Sequence, residues 1–177
     1  MHYKFGLLML AILIVLPLNL SLAQDAQPTP PPPPCSQPEF SQFDFWIGEW
    51  DLTWGDSARG TNTITKDYNN CVIIENFDGH PGANFTGMSV TTYNPRANNW
   101  NQLWVDDQGG YLDFIGALQD GKMYMSRTFN DKDGNLIIQR MVWHNIEDNS
   151  FDWDWERSTD NGYTWDTRWS IHYERKM

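Results

Sequence analysis

The sequence predicts an all-β domain: an up-and-down antiparallel barrel of about ten strands, preceded by a short helical turn. Three observations carry that expectation. Turn signals such as "WGDSARG", "DGHPGAN", "NPRANN", "DDQGG", "NDKDGN" and "TDNG" recur about every eight to twelve residues. Between them lie short segments rich in Thr, Ile, Val and aromatic residues, with almost no helical period. Many of these segments alternate polar with apolar, so each strand has one wet and one greasy face, and a sheet of that kind hides its apolar side and its edges by closing into a barrel or folding into a sandwich; the short sequential turns favour the up-and-down barrel.

The chain begins with His2 and Lys4, followed by the apolar run "FGLLMLAILIVLPLNL" and by "SLAQ", where Ser21 and Ala23 have the spacing a signal peptidase reads. This predicts a leader over 1–23 and export to the periplasm or the exterior. Pro17 interrupts the run and no basic flank follows it, which argues against a membrane anchor. Cys35 lies well past the predicted cut, where it cannot carry a lipoprotein lipid. The stretch 24–38, "QDAQPTPPPPPCSQP", lacks the apolar residues for a core and reads as a stiff polyproline spacer. One barrel domain is expected over 39–177.

Loss of the leader removes Lys4 and no acid. That leaves 11 Lys plus Arg against 23 Asp plus Glu, a net charge of −12. Without any basic run, neither nucleic acid nor an anionic membrane surface is an expected partner. Two cysteines, Cys35 and Cys71, in an oxidising compartment predict one disulfide between the end of the spacer and a strand. Two distant cysteines and four scattered histidines give no metal-ligand spacing, so no metal is expected.

Within the domain, "PEFSQFDF" is the candidate helical turn. In "FWIGEWDLTW", Trp46, Gly48, Trp50, Leu52 and Trp54 share one face, and Glu49, Asp51 and Thr53 share the other with Phe45 and Ile47. In "SFDWDWERS", Phe151, Trp153 and Trp155 oppose Asp152, Asp154 and Glu156. In the last segment Trp165, Trp169, Ile171 and Tyr173 oppose Asp166, Arg168, Ser170, His172 and Glu174. The segments 123–129 and 136–145 alternate too weakly to assign an inner face. If Leu136, Ile138, Arg140 and Val142 point inward, His144 does so too.

With "FDFWIGEWDLTW", the opening Gly48-Glu49-Trp50 is similar to the first strand of the calycin barrels, which include lipocalins, fatty-acid-binding proteins, avidins and nitrobindins. The series "FDFWIGEWDL", "NNCVIIENF", "YNPRANNWNQLWVDD", "STDNGYTW" and "HYER" resembles an exported bacterial family of unknown function with a lipocalin-like fold, over Phe43 to Arg175. The resemblance implies that Trp50 closes one barrel end beneath an arginine of the last strand, Arg175 first and Arg168 second. It supplies no catalytic group.

"STDNGYTW" matches the Ser-x-Asp-x-Gly-x-Thr-Trp box of sialidase propellers, but a single box without blade repeats cannot make a propeller. It reads as a hairpin turn in which Gly162 supplies a positive φ, Asp160 accepts backbone N–H groups and Trp165 packs beneath. "NDKDGN" starts like a calcium loop, yet its glycine stands fourth where that loop wants it sixth. The acidic pairs Asp106-Asp107 and Asp152-Asp154 fall in turns or on the wet face, and no nucleophile elbow or phosphate loop is present. No catalytic residue is therefore assigned.

The expected function is binding of a small apolar or amphipathic molecule in an aromatic cavity. Trp54, Trp104, Phe114, Met125, Trp153 and Trp155 are the candidate walls, and Arg127, Arg140 and Gln102 the candidate polar anchors. An inward arginine would suit a carboxylate ligand. No cofactor is required, and a haem of the nitrobindin type would need an interior histidine. His172 shares the polar face of its strand, which leaves His144 as the better candidate. The rival expectation is an envelope interaction or scaffold domain with a plugged barrel and aromatic residues on the wet face, mainly Phe45 and Trp143.

Overall fold

The computed structural model describes His2 and residues 30–176. Apart from His2, the predicted leader and the spacer as far as residue 29 lie outside the described residues. In the compact unit Pro32–Met177, ten strands form one closed barrel. They are β1 Gly48–Trp54, β2 Ala58–Asp67, β3 Val72–Asp78, β4 Thr86–Asn94, β5 Asn99–Asp106, β6 Tyr111–Gln119, β7 Lys122–Asn130, β8 Leu136–His144, β9 Ser150–Ser158 and β10 Asp166–Arg175. Each strand pairs antiparallel with the next in sequence, and β1 closes on β10 with Trp50 opposite Arg175 and Leu52 opposite Tyr173. The predicted helical segment is a pair of 3₁₀ turns, Pro38–Ser41 and Asp44–Trp46.

An up-and-down path puts the β2–β3, β4–β5, β6–β7 and β8–β9 turns at the same end as the 3₁₀ turns. The other five connections rim the opposite end. The inner face is read directly from alternating burial: Leu52 with Trp50 on β1, Ile73 with Glu75 and Phe77 on β3, and Met123 with Met125 on β7 are buried. On β8 the inner residues are Ile137, Met141 and Trp143, the odd-numbered set.

A disulfide joins Cys35 to Cys71, with Cα atoms 5.2 Å apart, and so clamps the chain before the first 3₁₀ turn onto the barrel. Cys71 lies in the β2–β3 turn, one residue before the strand in which it was expected. Tyr68, Asn69 and Asn70 precede it with φ of 52°, 58° and 65°, a left-handed run that Asn tolerates better than most residues. Lys66 adds a second tether by donating to the Phe40 carbonyl at 2.8 Å and pairing with Asp44.

Candidate functional site

The lower end of the barrel is filled. Phe43 and Trp46 drop from the 3₁₀ segment into the interior, tilted against each other; Phe43 meets Trp100 and Trp143 edge-on and Trp46 meets Trp143 edge-on, with ring centroids 5.0–5.4 Å apart. The Trp50 indole N–H donates to the Trp46 carbonyl at 2.8 Å. Above Trp50 the Arg175 guanidinium lies 4.2 Å from the ring centroid and donates to the Ile47 carbonyl at 2.9 Å. A Cβ on Gly48, whose φ is +142°, would stand 2.2 Å from that guanidinium. Gly48 is thus a glycine because the arginine crosses its backbone. Arg168 takes no part: it lies outside, paired with Asp166 at 2.8 Å.

The upper half encloses a cavity of about 240 Å³. Trp104, Phe114, Trp153 and Trp155 are among its walls, together with Phe77, Phe85, Trp169 and Tyr173. Phe77 and Phe114 are buried, whereas Trp104, Trp153, Trp155 and Trp169 keep part of their surface open at the rim. Trp153 and Trp155 are stacked, and Trp169 stands edge-on to Trp153 at 5.7 Å. Trp104 occupies its place because β4 carries a glycine there: a Cβ on Gly87 would come within 2.2 Å of the indole. The Trp104 N–H donates to Asp106 at 3.0 Å, and the same carboxylate accepts the backbone N–H groups of Gly110 and Gln108. The Gly110 backbone bond, with help from Trp104, holds the Asp106 carboxyl below its usual range.

At the floor of the cavity stands Glu75, buried and with no cationic side chain paired to it among the described residues. Its two oxygens accept from Asn62 at 2.7 Å and from Ser89 at 2.6 Å, Gln102 donates on to Ser89 at 2.9 Å, and Asn62 reaches the Tyr173 hydroxyl at 3.2 Å. Removal from water pushes the carboxyl pKa up against the pull of these two hydrogen bonds. Sequence reasoning missed Glu75, although a signal existed: Ile73-x-Glu75-x-Phe77 places an acid in an otherwise apolar alternation.

Several expected contacts fall elsewhere. Arg140, expected as an interior anchor, is on the outer face of β8. It bonds Glu156 at 2.5 Å and stacks on the Trp165 ring at 3.6 Å, because the inner residues of that strand are odd-numbered. Strict alternation places Trp165 with Trp169 on the inner face. Instead it packs outside, against Arg140 and beneath Gly162, since a bulge between Thr167 and Trp169 reverses the parity of β10. Trp54 stands behind the cavity wall, edge-on to Trp169 at 5.4 Å, with its indole over Gly60 and Gly82. Met125 is core, and Gln102 is buried within the Glu75 network. Arg127 does point inward, with its guanidinium 4.9 Å from the Phe129 ring centroid, but it is not part of the cavity wall. Trp143, expected on the wet face, is buried at the centre of the barrel, and Phe45 packs on Phe43 and Phe151.

The turn at Asp160 is built as a hairpin cap. Its carboxylate accepts from the Thr164 hydroxyl at 2.6 Å, the Thr164 backbone at 2.9 Å and the Ser158 hydroxyl at 2.7 Å, which lowers its pKa to about 2. Gly162 has φ 85°.

Both histidines considered for iron lie on the outer surface. His144 bonds Asp154 at 2.9 Å and His172 bonds Asp152 at 2.8 Å. The residues do not fit a haem ligated from inside the barrel, and the inward placing of His144 is corrected by the parity of β8. Nor do these pairs form a catalytic triad: Ser170 and His144 both bond to Asp154, whereas a triad needs the serine on the histidine.

No protein-family model matches the chain, and no curated protein matches it.

Proposed function

We propose that this domain is an exported binding barrel of the calycin type that holds one small apolar or amphipathic molecule in the upper cavity. The observation that carries the reading is the partly open void ringed by half-buried tryptophans inside an otherwise closed barrel. A volume near 240 Å³ exceeds the roughly 150 Å³ engineered cavity that takes up benzene and falls just short of drug-sized sites. A compact ligand with one ring or a short chain suits it. The calycin assignment is supported by the Gly48, Trp50 and Arg175 arrangement at the closed end, and export by the disulfide, a bond that persists in oxidising compartments.

Native mass spectrometry of the exported chain, purified without detergent, tests the reading. A co-purifying small-molecule mass, or a mass shift with small aromatic probes, is expected. A chain that stays bare against probes of every polarity overturns it.

A scaffold role draws support from a different feature. Met88, Val90, Leu103, Val105, Tyr111 and Ile115 are exposed apolar side chains on the outer face of β4 to β6. It predicts partner capture that survives blocking the cavity.

A further inference from the structure

The polarity of the cavity walls indicates what kind of small molecule fits, an inference that rests on the binding reading above. Among the described residues fourteen line the cavity; nine of them are aromatic, two are acidic and none is basic. The faces of those rings carry the negative lobe of the aromatic quadrupole, and the two acids stand at opposite depths: Glu75 at the floor, Asp106 towards the rim. Asp106 is committed to its turn and to Trp104. Each Glu75 oxygen accepts a single bond and so retains a further lone pair. A cation is the ligand feature that such walls stabilise.

We propose that the cavity takes a small protonated amine bearing an apolar group, with the ammonium against Glu75 and its substituent among the tryptophans. An ammonium supplies an opposite charge that no described side chain gives Glu75, and its N–H donors match the free lone pairs of the carboxylate. The chain's net charge of −11 adds a long-range field that draws cations.

Two arginines define the competing possibility. Arg127 and Arg157 both pair across the sheet with Gln139, and each has a buried Nε without a partner among the described residues. They stand about 10 Å apart by strand spacing, near the upper rim and outside the cavity wall. Of the carboxylates near that row, Asp166 pairs with Arg168, and Asp131 is held by the backbone of its own turn while Arg157 adds a charge attraction to it. An anionic head bound there would leave Glu75 without a counter-charge, which is why the amine is preferred.

Titration calorimetry of the exported chain with phenethylamine, phenethyl alcohol and hydrocinnamate compares cation, neutral and anion on one aromatic tail. The ammonium is expected to bind at least about tenfold more tightly than the alcohol, with hydrocinnamate weakest. Glu75→Gln should bring the amine down to the level of the alcohol and leave the alcohol within about twofold. An ammonium favours the ionised form of Glu75, so amine affinity should rise as pH climbs from the normal carboxylate range through the raised folded pKa, whereas alcohol affinity should not; Tyr173 on β10 is the titratable group packed against it, Asn62 and Ser89 are its uncharged partners, and Asp106 stands at the rim.

Equal affinities for amine and alcohol would overturn the amine inference and leave the cavity reading standing. Tighter hydrocinnamate would overturn it in favour of an anion at Arg127 and Arg157. Failure of all three probes would overturn the cavity reading as well.

Discussion

At the closed end of the barrel Phe43, Trp46, Trp50, Trp100 and Trp143 are each no more than 1% exposed, whereas at the open end Trp104, Trp153, Trp155 and Trp169 stay half-buried around a void. Similar side chains line both halves, and the difference lies in what enters from outside the sheet. The two 3₁₀ turns send Phe40, Phe43 and Trp46 into the lower end and are tied there by Lys66 and the Cys35–Cys71 bond. The connections of the upper end are short and rich in Asp, Asn and Gly, and Phe85 is the loop side chain that reaches the cavity from them. A ten-stranded barrel is wider than the eight strands whose interior side chains just fill it, so the half without a plug keeps a space. Dense packing is concentrated at one end, and the void, where the proposed ligand would sit, at the other.

This contrast predicts unequal responses to substitution. Trp50→Ala removes a fully buried ring, its bond to Trp46 and the seat of Arg175, and should cost about 3–5 kcal/mol in urea unfolding. Trp155→Ala, at the half-buried wall, should cost less than half as much while abolishing most of the probe binding; comparable losses for both variants would erase the distinction between the ends.

Reducing the disulfide, which closes a loop with a sequence separation of 36, should lower stability by about 2–4 kcal/mol. The plug should loosen first, so hydrogen exchange should rise at Phe43 and Trp46 before it rises at Trp153. Gly87→Ala places a Cβ 2.2 Å from the Trp104 ring and is expected to cost about 1–3 kcal/mol, with a change in near-ultraviolet dichroism as the wall shifts.

Glu75 gives the open half a pH signature. Its folded pKa is raised, so the native state holds a proton that the unfolded chain releases, and the native state loses stability as pH rises from the normal carboxylate range through the folded pKa. Glu75→Gln should flatten that slope in melting curves taken across pH; an unchanged slope would assign it to another group. The smallest effect belongs to Arg140→Ala. It breaks an ion pair that is partly open to solvent and a stack on Trp165, should cost no more than about 1 kcal/mol, and should leave probe affinity untouched, since Arg140 lies outside the barrel.

Legibility varied by strand, for identifiable reasons. β9 was readable because Phe151, Trp153 and Trp155 alternate strictly with acids. β8 was not: it reads Leu-Ile-Ile-Gln-Arg-Met-Val-Trp-His, apolar residues occur on both faces, and Arg140 was placed inside when Trp143 belongs there. On β10 the period itself is broken by the bulge before Trp169, which strict counting from Trp165 cannot reveal. Glu75 was overlooked because a charged residue in a strand reads as wet-facing unless its neighbours at two-residue spacing are weighed first.

Turn chemistry and alternation are local properties, and they determined the strand number, the meander order and the pairing of the two cysteines, because each depends on residues within a few positions or on there being only one choice. Which half of the barrel is filled, which arginine covers Trp50 and whether an acid stands uncompensated at the cavity floor depend on side chains far apart in sequence. Asn62 and Tyr173, 111 positions apart, share one hydrogen bond beside Glu75. Closure of the sheet decides such meetings, since it brings β1 onto β10 and sets every inner face by register rather than by the residue's own preference.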